Sequence, residues 1–140
     1  MSAGTGVVHS EFNASKTEPV HLYQIWMLPE KQGLKPTYDQ KKFSEAEKRG
    51  KLRLVASPDG RDGSVKIRQN NELYATLLNA GETVKHALKK DRHAYVQVAR
   101  GKVKLNGALL ETGDGAAISA EKAVELTGVA DAEVLLFDLA

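Results

Sequence analysis

The chain has 140 residues, with 20 Lys and Arg against 18 Asp and Glu, a net charge of +2 and no cysteine. That length allows one domain with a real core, or a domain plus a fragment, and the mixed charge gives no electrostatic case for direct contact with nucleic acid or an anionic membrane. The missing cysteines exclude disulfides and thiolate metal sites and fit a cytoplasmic protein; no apolar run approaches the roughly 20 residues of a membrane span, and no basic-then-apolar secretory signal opens the chain.

The first stretch, GTGVVHSEFN (4–13), is Gly-rich and sets two metal-competent side chains, His9 and Glu11, two apart. On a strand, residues i and i+2 point to one face, so the spacing would put both into one interior. On spacing alone, polar residues in a loop explain the pair more simply. HLYQIWML (21–28) is apolar and rich in β-formers, and Pro29 stops it; it predicts a buried strand. Residues 29–43 carry two prolines, a glycine and many charges and read as a linker or an extended crossing. In SEAEKRG (44–50), Ser44 and Glu47 have capping-box spacing and Gly50 sits where a helix would end, which predicts one or two helical turns.

From Lys51 onward, short β-type runs alternate with turn signals about every 8 to 12 residues, the pattern of a sandwich or barrel. LRLVAS (52–57) precedes the turn PDGRDG (58–63); SVKIRQ (64–69) and ELYATLLN (72–79) are expected to form a hairpin through Asn70 and Asn71. ETVKHAL (82–88) follows Gly81. HAYVQVARGKVKLNG (93–107) alternates, with Tyr95, Gln97 and Ala99 on one face and Val96 and Val98 on the other. ALLET, GDG, AAIS and AVELTG follow, and EVLLFDL (133–139) is apolar enough to be buried on both sides. No long amphipathic helix appears. The class is all-β, a closed or nearly closed barrel.

The run Tyr95–Ile118, with hairpins expected at RGKV and LNGA and then ETGDGAAI, resembles the middle of a cupin barrel (a double-stranded β-helix, or jelly roll). Gly6-x-x-His9-x-x-x-Asn13 matches the second cupin motif, G-x-x-H-x-x-x-N. MSAGTGVVHSEFN followed by HLYQIWMLPE resembles the pirin family, and SPDGRDGSVKI, ELY and EVLLFDL look like further pirin landmarks, so that the resemblance covers essentially the whole chain. Pirins are bicupins whose N-terminal barrel holds a divalent metal, typically iron, through an H-x-H pair plus a His and a Glu. Many bacterial members are flavonol (quercetin 2,3-) dioxygenases. The resemblance implies that His9 and Glu11 are two of four metal ligands, with Fe(II) as the cofactor, and that Glu11 takes a proton from the flavonol hydroxyl. Asn13 fits a structural hydrogen bond within the turn.

The sequence departs from the family at one point: it contains no H-x-H. It reads as terminal strands of the N-terminal barrel over 1–38, a linker with a short helix over 39–50, and the C-terminal barrel over 51–140. A truncated gene or a start assigned late would each account for this. One His and one Glu make a weak site, so poor metal affinity and no turnover are expected unless another molecule supplies the missing pair. The second barrel offers no replacement, because His86 stands alone after Gly81 and Ala116–Ser119 carry no ligand.

The other candidates have simpler readings. His21 fits a packed or edge position. His86 and His93 flank the basic KKDRH segment (89–93) and fit a solvated loop, since no aromatic interleaving suggests nucleic acid. Tyr23 and Trp26 fit core aromatics better than a flavonol pocket. Two functions follow: a metal-dependent flavonol dioxygenase, incomplete in this chain, or a non-enzymatic module that binds a protein partner. The orphaned strand 21–28 is expected to pair with a second copy in a homodimer, dock on the C-terminal barrel, or drive aggregation.

Overall fold

Period-two patterning and turn residues carve the chain after residue 52 into ten strands, and the computed structural model, which describes residues 1–140, places every strand there. They are β1 (Arg53–Ser57), β2 (Val65–Lys66), β3 (Glu72–Leu78), β4 (Thr83–Ala87), β5 (His93–Arg100), β6 (Lys102–Leu105), β7 (Ala108–Glu111), β8 (Gly115–Ile118), β9 (Ala123–Gly128) and β10 (Ala132–Leu139). One sheet has the order β2-β1-β3-β10-β5-β8 and the other β4-β9-β6-β7. Only the β1–β2 pair is parallel.

The two sheets close over one apolar core. Leu78, Val96, Val98, Val134 and Leu136 from the large sheet meet Val84, Val103, Leu105, Val124 and Leu126 from the small one. Across the large sheet, Leu54, Tyr74, Leu136, Val96 and Ala116 lie in register, so one inward row crosses five strands. The expected alternation of β5 holds as far as Val98, with Val96 and Val98 fully buried and Tyr95 and Gln97 half-buried, but breaks at Ala99, which is buried where the register with β10 shifts.

Turn chemistry decides the connections. Asn106 (φ 46°) and Gly107 (φ 89°) both take positive φ between β6 and β7, the backbone of a type I′ hairpin, so the LNGA hairpin forms as predicted. The hairpin expected at RGKV does not, because β5 and β6 lie in different sheets. Gly101 (φ 80°) is the corner between them. A Cβ there would stand 1.9 Å from the carbonyl oxygen of Asp131, so only glycine lets the chain pass. The Asn70–Asn71 hairpin is also absent: β2 keeps two residues and runs parallel to β1, with Ile67 N–H bonded to the Ser57 carbonyl at 2.9 Å.

The short helix is where the sequence puts it. In α1 (Glu45–Lys48) the Glu47 carboxylate reaches back to the Ser44 backbone N–H and hydroxyl, both at 2.8 Å. Those hydrogen bonds, the backbone one first, hold the Glu47 carboxyl below its ordinary range.

The strands expected over residues 1–38 do not form. One isolated bridge, Ser2 to Thr37, is the only β pairing there. HLYQIWML forms no strand and is mostly exposed, Trp26 by 87% and Leu28 by 92%. The cause is the lack of a ladder partner: an extended run becomes a strand only when a neighbour takes its N–H and C=O groups. Residues 23–27 line an open cleft with Tyr95, Leu135, Phe137 and Leu139 of the large sheet, and the segment is tied to the barrel at Met27, whose carbonyl accepts from Gln69 Nε2 at 3.0 Å. Phe137 and Leu136, which point to opposite faces of the sheet, are both buried, as the apolar EVLLFDL run implies.

Candidate functional site

His9 and Glu11 meet without a strand beneath them. No strand forms here, yet the two side chains converge, with His9 Nε2 3.4 Å from Glu11 Oε1. Both are open to solvent, with side-chain exposures of 42% and 51%. Gly6, at φ 128°, and Gly4, at φ 53°, shape the approach; a Cβ on Gly4 would strike the Leu34 carbonyl oxygen at 1.9 Å. Asn13 does close a local turn, as expected: its Nδ2 donates to the Glu18 carbonyl at 2.8 Å and its Oδ1 accepts from Ser15 N–H at 3.0 Å.

No third donor joins them. Nowhere does the chain gather three His, Cys, Asp or Glu side chains in a metal-holding group. His21 packs on the ring of Tyr23, with centroids 5.1 Å apart, and His93 Nδ1 pairs with the Ser119 hydroxyl at 2.9 Å. Tyr23 and Trp26 are not core aromatics; Trp26 is largely solvent-exposed.

His86 departs from its expected place in a solvated loop. It stands on β4, half-buried, with Nε2 2.6 Å from Oδ2 of buried Asp138 and its ring 4.8 Å from that of Tyr74. Arg92 leaves the KKDRH loop to bond Asp138 through Nε, and its Nη2 donates to the carbonyls of Asp138 and Asn70 at 2.9 and 3.0 Å. Beside them, Glu72 sits opposite Asp138 in the β3–β10 register and accepts from Tyr74 Oη at 2.5 Å and Arg61 Nη2 at 2.7 Å. Two inward carboxylates on neighbouring strands would repel, and each is offset by its own arginine. Burial works to raise the Glu72 carboxyl, but the Arg61 and Tyr74 hydrogen bonds outweigh it and the carboxyl lies below its ordinary range. Burial first, and the bond to Glu72 second, push the Tyr74 phenol far up. The sequence held one trace of this cluster, the isolated Asp138 in an apolar run.

A sequence profile described as a quercetinase C-terminal cupin domain matches residues 54–139, the strands just described, and one described as pirin matches residues 1–27. The chain belongs to the pirin family. A quercetin 2,3-dioxygenase of Escherichia coli K12 is 48% identical over 139 residues, which cover 99% of this chain and 59% of that protein. A pirin-like protein of Caulobacter vibrioides is 38% identical, covering 100% and 60%. The chain therefore spans about three-fifths of the curated pirin relatives it matches. Among solved structures, the pirin YhhW of E. coli superimposes with a TM-score of 0.77 at 41% identity, over 82% of this chain and 48% of that one. The same protein in complex with nickel(II) gives 0.74 at 42%, over 79% and 47%. The pirin-type cupin barrel expected from the sequence is thus the fold observed.

Two donors do not make a pirin metal centre. A structural or catalytic ion of this kind takes at least three protein ligands, and His9 and Glu11 are all that the chain brings together.

Proposed function

We propose that the chain contributes the second barrel, and part of a first-barrel metal site, to a flavonol 2,3-dioxygenase. Residues 1–38 belong in this reading to a first cupin barrel, residues 39–50 to the linker, and residues 51–140 to the second barrel. His9 and Glu11 are two donors to a divalent cation, Fe(II) by the family's habit, and Glu11 is the base facing the flavonol hydroxyl. The observation that carries the reading is the convergence of His9 and Glu11, 3.4 Å apart, within a segment matched by the pirin profile. The relative named quercetin 2,3-dioxygenase and the nickel(II) complex of YhhW support the substrate class and the divalent metal. A metal bound there would polarise the substrate oxygen and bind dioxygen; the protein's part is to hold the ion and keep a carboxylate at the substrate.

The test fuses this chain to the part of the E. coli relative that it does not cover. The fusion should take up one divalent metal per chain, by elemental analysis, and bleach the flavonol absorbance band in air. His9→Ala should lose the metal and Glu11→Gln the bleaching. Full metal content and bleaching in both variants would refute the assignment. A metal-free, inactive fusion that still folds would favour a non-enzymatic protein-binding module.

A further inference from the structure

Of the chain's aspartates, three stand immediately before a glycine: Asp59, Asp62 and Asp114. In such a pair the glycine has no Cβ, and its amide nitrogen is open to the preceding carboxyl. The folded barrel treats the three differently. We propose that Asp62–Gly63 is a covalent modification site, at which the chain forms isoaspartate without an enzyme. The Gly63 nitrogen attacks Asp62 Cγ, and one water leaves with the amide hydrogen and a carboxyl oxygen. The resulting succinimide takes the water back. Addition at Cγ restores aspartate, and addition at the main-chain carbonyl carbon gives isoaspartate, so the atoms balance and no oxidant is needed.

Asp59 and Asp114 are restrained. Asp59 Oδ1 accepts from the Ser57 hydroxyl at 2.9 Å and the Arg61 N–H at 3.1 Å. Those hydrogen bonds, that from Arg61 first, keep its carboxyl below the ordinary range, so little of it is in the neutral form that loses water. Asp114 Oδ2 accepts from the Glu111 N–H at 2.8 Å, its carbonyl accepts from the Val98 N–H at 2.9 Å, and Gly115 is paired with Gln97 in the large sheet. Turning that peptide link toward the side chain would break the β5–β8 ladder. Asp62 carries neither restraint. It is exposed in the 61–63 turn, and its carboxylate has no hydrogen-bond or ion-pair partner. Its φ of 54° is left-handed, a conformation that a residue with a side chain holds at a cost. A Cβ on Gly63 would meet only Arg53 Nη2, at 3.6 Å, so little crowds the reacting link, whereas one on Gly115 would strike Tyr95 Oη. Isoaspartate would insert a methylene into the main chain next to Arg61, whose Nη2 lies 2.7 Å from Glu72 Oε2. The change should therefore be felt at Glu72.

Keeping the folded 140-residue chain at physiological temperature and pH for weeks tests this. Cleavage after lysine and then before aspartate reads each site, because the second protease does not cut before isoaspartate. The cut before Asp62 should be lost severalfold faster than those before Asp59 and Asp114, with the mass of peptide 52–66 unchanged. In urea the three cuts should be lost at similar rates, since all three aspartates precede glycine and only the fold separates them. Asp62→Glu keeps the charge but does not readily close the ring, and should leave peptide 52–66 as one species. In the aged ¹⁵N-labelled chain, a second set of amide signals should grow at residues 60–64 and at Glu72. Retention of all three cuts, earlier loss at Asp59 or Asp114, the same ranking in urea, or a second species in Asp62→Glu would overturn the proposal. New signals that spare Glu72 would overturn the link through Arg61.

Discussion

Removing the Asp138 carboxylate should be among the costliest single changes in the barrel. The residue is 4% exposed on central β10, where it answers Arg92 and His86, whose side chains are only 14% and 15% exposed. In Asp138→Ala both donors stay where the backbone holds them, and Arg92 keeps its bonds to the carbonyls of residues 70 and 138. A guanidinium is then left nearly buried without its counter-charge. Breaking one side of a buried pair costs about 3–5 kcal/mol, against about 0–1 for an exposed pair. The slight water access of Arg92 and His86 favours the lower end, about 3 kcal/mol. For a domain near this size that lowers Tm by about 6–12 °C. Urea unfolding followed by far-UV circular dichroism measures it. Asp138→Asn, which keeps an acceptor, should fall between wild type and alanine. Lys102→Ala, which breaks the exposed pair with Glu111 (2.7 Å, side chains 48% and 52% exposed), should cost under about 1 kcal/mol. If Asp138→Ala costs no more than Lys102→Ala, the cluster is not the fastener that its geometry implies.

Glu72 has a folded pKa below its ordinary 4.5, so it contributes stability fully above that value and loses it as pH falls through the lower folded pKa; Glu72→Gln should flatten the urea-midpoint profile below about pH 4.5. Tyr74 is raised above its ordinary 10, so its contribution holds below pH 10 and is lost at higher pH; ultraviolet titration should show one of the four tyrosines still protonated when the others have ionised, and Tyr74→Phe should abolish that lag. Gly101→Ala forces a Cβ against the Asp131 carbonyl at 1.9 Å from a positive φ, and should cost more than the roughly 1–3 kcal/mol of backbone strain alone, read as a urea-midpoint shift; a neutral result would mean that the corner can move. Leu136→Ala, at a 1% exposed core position, should cost about 2–5 kcal/mol in the same assay.

What the sequence determined by itself was whatever depends on near neighbours along the chain. Period-two runs gave the main strands, Asn106-Gly107 the I′ hairpin, Ser44 and Glu47 the cap, and His9-x-Glu11 a converging pair. Each rests on spacing of a few residues, so local geometry is enough. What the tertiary structure decided was pairing and company. HLYQIWML is strand-like in composition yet unpaired, since a ladder needs a partner that no local pattern supplies. The RGKV turn became a corner between sheets because Gly101 passes a backbone 30 residues away. Asp138 lies 46 positions from Arg92 and 52 from His86, and only closure of the two sheets brings β4, its following loop and β10 to one buried point. Burial then turns three ordinary polar residues into a unit, because in that dry space each needs the others to replace water.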